Sequence, residues 1–270
     1  MKARPLVRYH GGKWMLAPWI LSHFPPHRVY VEPFGGGGSV LLRKARSYAE
    51  VYNDLDGEIV NLFRVTRTRG EELAMLCELT PFARVEFAES YEPSGDELEQ
   101  ARRTLIRSFM GFGSNSHSNK TGFRSNSNRS GTTPAHDWMN YPAALRITIQ
   151  RLRGVIVENR DALTCMRQHD SAETLHYADP PYVMSTRSDE KADYSHEMTD
   201  ADHQTLAAGL RELVGMVIVS GYRSDMYDDL YAGWKRIDRA AYADGAVKRI
   251  ESLWISPNVR ADGFDFQEAA

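Results

Sequence analysis

Cysteine is nearly absent. Cys77 and Cys165 are the two in 270 residues, far apart and with no His/Cys cluster around them. A disulfide framework is excluded on that count, and a structural zinc site has no ligand set. Long apolar runs are missing too. The longest uncharged one, VGMVIVS at 214–220, falls far short of the roughly 20 residues that span a bilayer. The N-terminal MKARPLVRYHGGK has basic residues with no apolar region after them. No secretory signal and no membrane partner are therefore expected, and the expected location is the cytoplasm. Hydrophobic residues at 42% and charged residues at 26% exclude a disordered or fibrous chain.

Acid is absent locally. Between Gln100 and Asp137 there is no Asp or Glu, while Arg102, Arg103, Arg107, Lys120, Arg124 and Arg129 all fall there, in a chain whose net charge is −3. The second half of this stretch, GSNSHSNKTGFRSNSNRSGTTP at 113–134, is rich in Ser, Asn and Gly. Such residues build no core and read as a loop. Loops this long are usually functional or disordered. Two readings stay open. One is a solvated insertion. The other is a nucleic-acid contact, with Lys120, Arg124 and Arg129 on phosphate and residues such as Asn126 bonding phosphate or base edges.

The patterning predicts strands at 29–34, 50–54, 155–158 and 175–178, then GMVIVS, WKRID and RIESLWIS late in the chain. Helical spacing recurs at 58–66, 70–79, 95–110, 141–152, 200–213 and 224–231. Ser39 is placed to cap a helix over SVLLRKARS. Alternating strands and helices predict a parallel α/β sheet. The region 57–150 has no strand signal and breaks the alternation. It reads as a helical insert between residues 1–56 and 151–270.

Four motifs carry chemistry. EPFGGGGSVLL at 32–42 is a strand, four glycines and a helix, so the backbone turns tightly where open α/β sheets bind ligands. It lacks the last glycine of a dinucleotide fingerprint and the G-K-[ST] of a P-loop. A nicotinamide oxidoreductase is disfavoured accordingly. Asp54 ends the next strand, about 20 residues past the glycines, where an acid accepts from ribose hydroxyls. ADPPYV at 178–183 fixes a rigid turn after a strand. It sets the Asp179 carboxylate and the Pro180 carbonyl at one cleft, with Pro181 and Tyr182 beside them. Two acceptors suit an exocyclic NH₂ group, and Tyr182 suits stacking on the base that carries it. RYHGGK at 8–13 is a cationic turn able to meet a carboxylate or phosphate.

Together these segments resemble the Dam-type, D12-class DNA adenine-N6 methyltransferases of the alpha group. RYHGGK is similar to the family's [WY]-x-G-G-K, and EPFGGGGS to its EPFxGxGS loop. YNDLDGEIVNLF at 52–63 and ESLWISPN at 251–258 resemble two further family segments, and ADPPY matches the catalytic DPPY. The resemblance implies a Rossmann-like AdoMet-dependent methyltransferase sheet with a helical DNA-recognition insert. It implies S-adenosylmethionine (AdoMet) as methyl donor, no metal, and double-stranded DNA as partner of a monomer. Carried over by motif, Tyr9, Lys13, Phe34, Gly35, Gly37, Ser39, Asp54 and Asp179 would contact the cofactor. Asp161, in VENRDA, would lie near its adenine. Asp179 and Pro180 would hold the target N6, with Tyr182 on a flipped adenine. The insert's RSFMGFGSNSHSNKTGFR departs from the Dam recognition hairpin and is similar to phage and prophage members. Cytosine N4, RNA adenine or protein glutamine as the methylated amine, and a catalytically inactive DNA-binding relative, remain the competing readings.

Overall fold

A computed structural model describes residues 4–113, 116, 119–127, 131–186, 195–242 and 248–259. Its centre is a seven-stranded sheet in the order β3-β2-β1-β4-β5-β7-β6. The strands are β1 (Val29–Glu32), β2 (Ala49–Asn53), β3 (Val155–Glu158), β4 (Thr174–Ala178), β5 (Met216–Tyr222), β6 (Lys235–Tyr242) and β7 (Lys248–Ile255). Strands β1 to β5 pair in parallel, as the alternation predicts. The late pair departs from it: β7 lies between β5 and β6 and runs antiparallel to both, since it reverses direction after β6, which itself points the same way as β5.

Helices are α1 (Ala17–Leu21), α2 (Ser39–Arg43), α3 (Gly57–Thr68), α4 (Gly70–Leu79), α5 (Arg84–Glu89), α6 (Glu97–Met110), α7 (Pro134–Met139), α8 (Tyr141–Leu152), α9 (Ala162–Gln168), α10 (Asp200–Arg211) and α11 (Asp225–Leu230). Among the described residues no helix is long and apolar enough to cross a membrane. Period-two alternation splits the strand side chains between two cores. Tyr30, Tyr52, Tyr177 and Ile218 join one core with α3, α4, α6 and α8. Val31, Val51, Ala178, Val217 and Val219 join the other with α9 and α10. The sheet is thus covered on both faces, as a mostly parallel sheet must be.

Helices α3 to α8 fill the region read as an insert. Their core is continuous with the sheet: Phe63 of α3 stacks on Tyr52 of β2 at 3.8 Å. Asp56 starts α3 by accepting from the amides of Glu58 and Ile59, satisfying donors that the first turn leaves unpaired. Past α6 the basic loop is closed by an isolated antiparallel bridge, Gly111 with Phe123. Phe123 is packed against Phe82 and Phe87.

Ser39 is not the cap that the sequence predicts. It is the first helical residue of α2, and the cap position is Gly38, at φ +62°. The loop needs left-handed backbone at Gly36 and Gly38, which glycine adopts without steric cost.

Candidate active site

Strand order reverses between β1 and β4, which sit side by side while their successors lie on opposite flanks. The crevice beyond the carboxyl ends of such strands is where open α/β sheets take ligands. Here β1 delivers Pro33–Gly37 and β4 delivers Asp179–Pro181, and both line one cavity of about 330 Å³.

The glycine loop is side-chain-free by necessity. A Cβ on Gly35 would lie 2.2 Å from Tyr52 Cε2, and one on Gly36 2.8 Å from Tyr9 Cε1. Tyr52 is locked where it stands, its hydroxyl donating to Gly36 O at 2.7 Å. Buried Asn53 braces the neighbouring loops, donating to Pro33 O and Arg160 O and accepting from the Arg160 amide. Asp54 follows. Its Oδ2 accepts from Gly36 N at 2.7 Å and its Oδ1 from Asp56 N at 2.8 Å. Burial nevertheless raises its pKa to about 6. Glu32, at the end of β1, accepts from Tyr30 Oη at 2.6 Å and Leu41 N at 2.8 Å. It too is lifted by burial, to about 8.

Lys13 is the buried cation at the floor of the DPPY turn, and three side chains converge on its Nζ. Asp179 Oδ1 lies at 2.8 Å, Glu251 Oε1 at 3.5 Å and the Tyr182 hydroxyl at 2.7 Å. Ser220 donates to the same Asp179 Oδ1 at 2.7 Å, and the fully buried Tyr177 hydroxyl bonds Ser220 at 2.8 Å. Both bonds to Asp179 thus fall on Oδ1, which leaves Oδ2 as an acceptor. Burial pushes the Glu251 carboxyl up against the pull of Lys13. Tyr182 carries a second ring on its face: Tyr222 is stacked 4.0 Å away at 3°.

Of the residues singled out from sequence, Tyr9, Lys13, Phe34, Gly35, Gly37, Ser39, Asp54, Asp161, Asp179, Pro180 and Pro181 all line the one cavity. Tyr182 is not in the lining and sits behind it, tied to Lys13. Asp161 also has a local task, capping α9 by accepting from Thr164 N at 2.9 Å. The residues singled out on the basic loop are not in that lining. Lys120 and Asn126 are exposed; Arg124 is half-buried and donates to Phe109 O at 3.0 Å. Arg129 lies outside the described residues. Sequence reasoning missed Ser220, Tyr222, Glu251, Glu32 and Asn53 as site residues. Glu251 opens the ESLWISPN segment, so a signal was present without its role. Among the described residues no group of three or more His, Cys, Asp or Glu is placed to hold a metal.

The family description "D12 class N6 adenine-specific DNA methyltransferase" matches residues 9–243. The chain belongs to this family. Such methyltransferases act on the N6 amine of adenine in DNA, and the methyl donor the family implies is AdoMet. The sheet and its flanking helices are consistent with an AdoMet methyltransferase fold. The chain is similar to a DNA adenine methylase of Serratia marcescens, 23% identical over 249 residues, 85% of this chain and 87% of the relative. A DNA adenine methylase of Escherichia coli K12 is 22% identical over 264 residues, covering 93% and 94%. A type II methyltransferase of Lactococcus lactis, M1.LlaDCHI, is 25% identical over 250 residues, covering 84% of each.

Proposed function

We propose that the cavity holds AdoMet and that the target adenine leaves the duplex to present N6 at Asp179 and Pro180. The observation that carries this reading is the meeting of the glycine loop and the Asp179–Pro181 turn at one cavity. Its volume, about 330 Å³, lies within the usual span of small-molecule sites. The residues fit the donor. Backbone without side chains lines Gly35–Gly37, and the carboxylates of Glu32, Asp54 and Asp161 face a molecule with sulfonium and ammonium charges. Asp54 would hold the ribose hydroxyls, since each of its oxygens keeps a lone pair after accepting one amide. Tyr9, Phe34, Gly35, Gly37 and Ser39 would line the methionine and ribose side, and Asp161 the adenine side. When bound, the donor supplies an electrophilic methyl group.

The chain's own residues do the rest. Asp179 Oδ2 and the Pro180 carbonyl accept the two N–H bonds of the target amine. Pro180 and Pro181 have no amide hydrogen and so offer no competing donor. Two acceptors oppose delocalisation of the nitrogen lone pair into the ring, which makes N6 more nucleophilic. The proton leaves after transfer, so Asp179 serves as an oriented acceptor and not as a strong base. Lys13 and Ser220 hold its Oδ1 and fix that orientation. The gain comes from positioning two reactants and from acceptors already in place. Extruding the adenine costs a few kcal/mol, and stacking on Tyr182 returns about 1–3 kcal/mol.

On this reading residues 1–56 and 151–270 are the catalytic domain, and 57–150 is the target-recognition insert of a monomer. Lys120, Arg124, Arg129 and Asn126 on its basic loop contact double-stranded DNA. Arg8 joins insert to site: its amide donates to Ser108 Oγ of α6 at 2.8 Å, one residue before Tyr9.

Incubation with unmethylated DNA and labelled AdoMet, followed by nucleoside mass spectrometry, should yield N6-methyladenine. Asp179→Ala should stay folded by circular dichroism and transfer no methyl. An active Asp179→Ala enzyme would sink the assignment of Asp179.

A further inference from the structure

The Tyr182–Tyr222 stack has the geometry a purine would take on the DPPY tyrosine: rings 4.0 Å apart and 3° from parallel. Tyr182 is 7% exposed, so no base reaches its ring until something moves. The two tyrosines differ in how they are held. Tyr182 is pinned by its hydroxyl to Lys13 at 2.7 Å and to Glu251 at 3.3 Å. Tyr222 is half-buried, shares a side-chain hydrogen bond with Tyr182, and is the last residue of β5, where the strand gives way to a loop. Its neighbour across the ladder is Glu251, the same carboxyl that accepts from the Tyr182 hydroxyl. Beside it stands a cation, the Arg249 guanidinium, 6.0 Å from the Tyr222 ring. An aromatic face with a cation next to it is the kind of surface on which a base stacks and its phosphate is neutralised.

We propose that Tyr222 is a target-base placeholder: in the free enzyme it fills the base's place on Tyr182, and the extruded adenine displaces it. This rests on the reading that the adenine enters the DPPY pocket. Tyr222 then sets part of the barrier to DNA engagement, because its stack on Tyr182 must be broken before the base's stack forms. An aromatic pair contributes modestly beyond its buried area, so losing the competitor shifts affinity by about two- to tenfold.

The test is steady-state methylation of unmethylated plasmid DNA by the full chain, with labelled AdoMet and DNA as the varied substrate. Tyr222→Ala, and Tyr222→Leu as a variant that keeps apolar bulk, should lower the KM for DNA about two- to tenfold without lowering kcat. Tyr222→Trp, with a larger stacked ring, should raise it. An unchanged or raised KM in the folded Ala and Leu variants overturns the placeholder and makes Tyr222 a fixed support of Tyr182. Tyr182→Ala separates the two readings. If that variant keeps wild-type kcat and KM, the DPPY-pocket reading itself fails. If Tyr182→Ala is impaired and the Tyr222 variants are neutral, only the placeholder fails.

Discussion

Lys13→Met is the sharpest perturbation of the site's electrostatics. It keeps the length and most of the apolar stem and deletes the charge. The lysine side chain is 3% exposed and the Glu251 side chain 1%, so little water replaces the lost ammonium. At 2.8 Å from Asp179, and with an effective dielectric near 20, the gross attraction is about 6 kcal/mol. The net cost of truncating one member of a buried pair is about 3–5 kcal/mol, since the partner charge is left uncompensated. For a chain of this size each kcal/mol moves Tm by about 2–4 °C, so the melting temperature should fall by about 6–20 °C. Glu251→Gln alone should cost under about 1 kcal/mol, because burial already disfavours that carboxylate's charge. Added to Lys13→Met, it removes a buried carboxyl that has lost the ammonium beside it and should restore up to about 1 kcal/mol, a coupling that a double-mutant cycle in urea resolves. Activity should not return with stability, since Asp179 still lacks the cation that orients it. A Tm change below about 2 °C for Lys13→Met would refute the argument. So would further destabilisation when Glu251→Gln is added.

Glu32, lifted to about 8, binds its proton more tightly folded than unfolded. Its contribution is therefore full below its unfolded value and is lost as pH rises through about 8, a loss of about 5 kcal/mol in all. Urea titrations at pH 5 and 8 should show that decline in wild type and a flatter profile in Glu32→Gln. Asp54, raised to about 6, must be ionised to hold a ribose diol with both oxygens as acceptors. The KM for AdoMet should then rise as pH falls through about 6, and Asp54→Asn should bind weakly at every pH with no such inflection. Lys120 is exposed and its ammonium lies 5.8 Å from the Tyr91 ring. If it meets one phosphate, Lys120→Ala should reduce the slope of log K against log salt by about 0.9 in a filter-binding series, and an unchanged slope would leave the loop a solvated insertion.

Contiguous chemistry was legible in the sequence. The strand–glycine–helix segment, Asp54, Lys13 and Asp179–Pro181 each sit in a short motif, and all but Lys13 share an address at the carboxyl ends of the adjacent parallel strands β2, β1 and β4. What was not legible comes from pairing. Ser220, Tyr222 and Glu251 reach the site because β7 inserts antiparallel beside β5, in a register that sets Tyr222 opposite Glu251. Nothing in RIESLWIS announces that register, since a one-residue slip would turn Glu251 to the other face. The short helices α1, α5, α7 and α9, of five to seven residues, escaped for another reason: they span too few turns for an apolar period to register. The Ser39 cap failed because a serine before an apolar run is the usual signal, and here a left-handed glycine took the position.

The charge distribution binds these observations together. A chain of net charge −3 has to engage a polyanion and, on the proposed reading, a cationic donor. The same surface cannot favour both. The acid-free stretch between Gln100 and Asp137 falls within residues 57–150, while Glu32, Asp54, Asp56, Asp161 and Asp179 line the cavity beside Lys13. Glu32 and Asp54 are both pushed above the ordinary carboxylate range, chiefly by burial, and a cation entering the cavity would favour their ionised forms. Phosphate gains nothing there. Lys13 does not contradict the sorting, because its charge is already shared between Asp179 and Glu251. On the proposed reading it fixes the carboxylate that receives the target amine. On the same reading the place where the two ligands meet is built from acceptors and aromatic rings, which suits an uncharged base brought in from an anionic backbone.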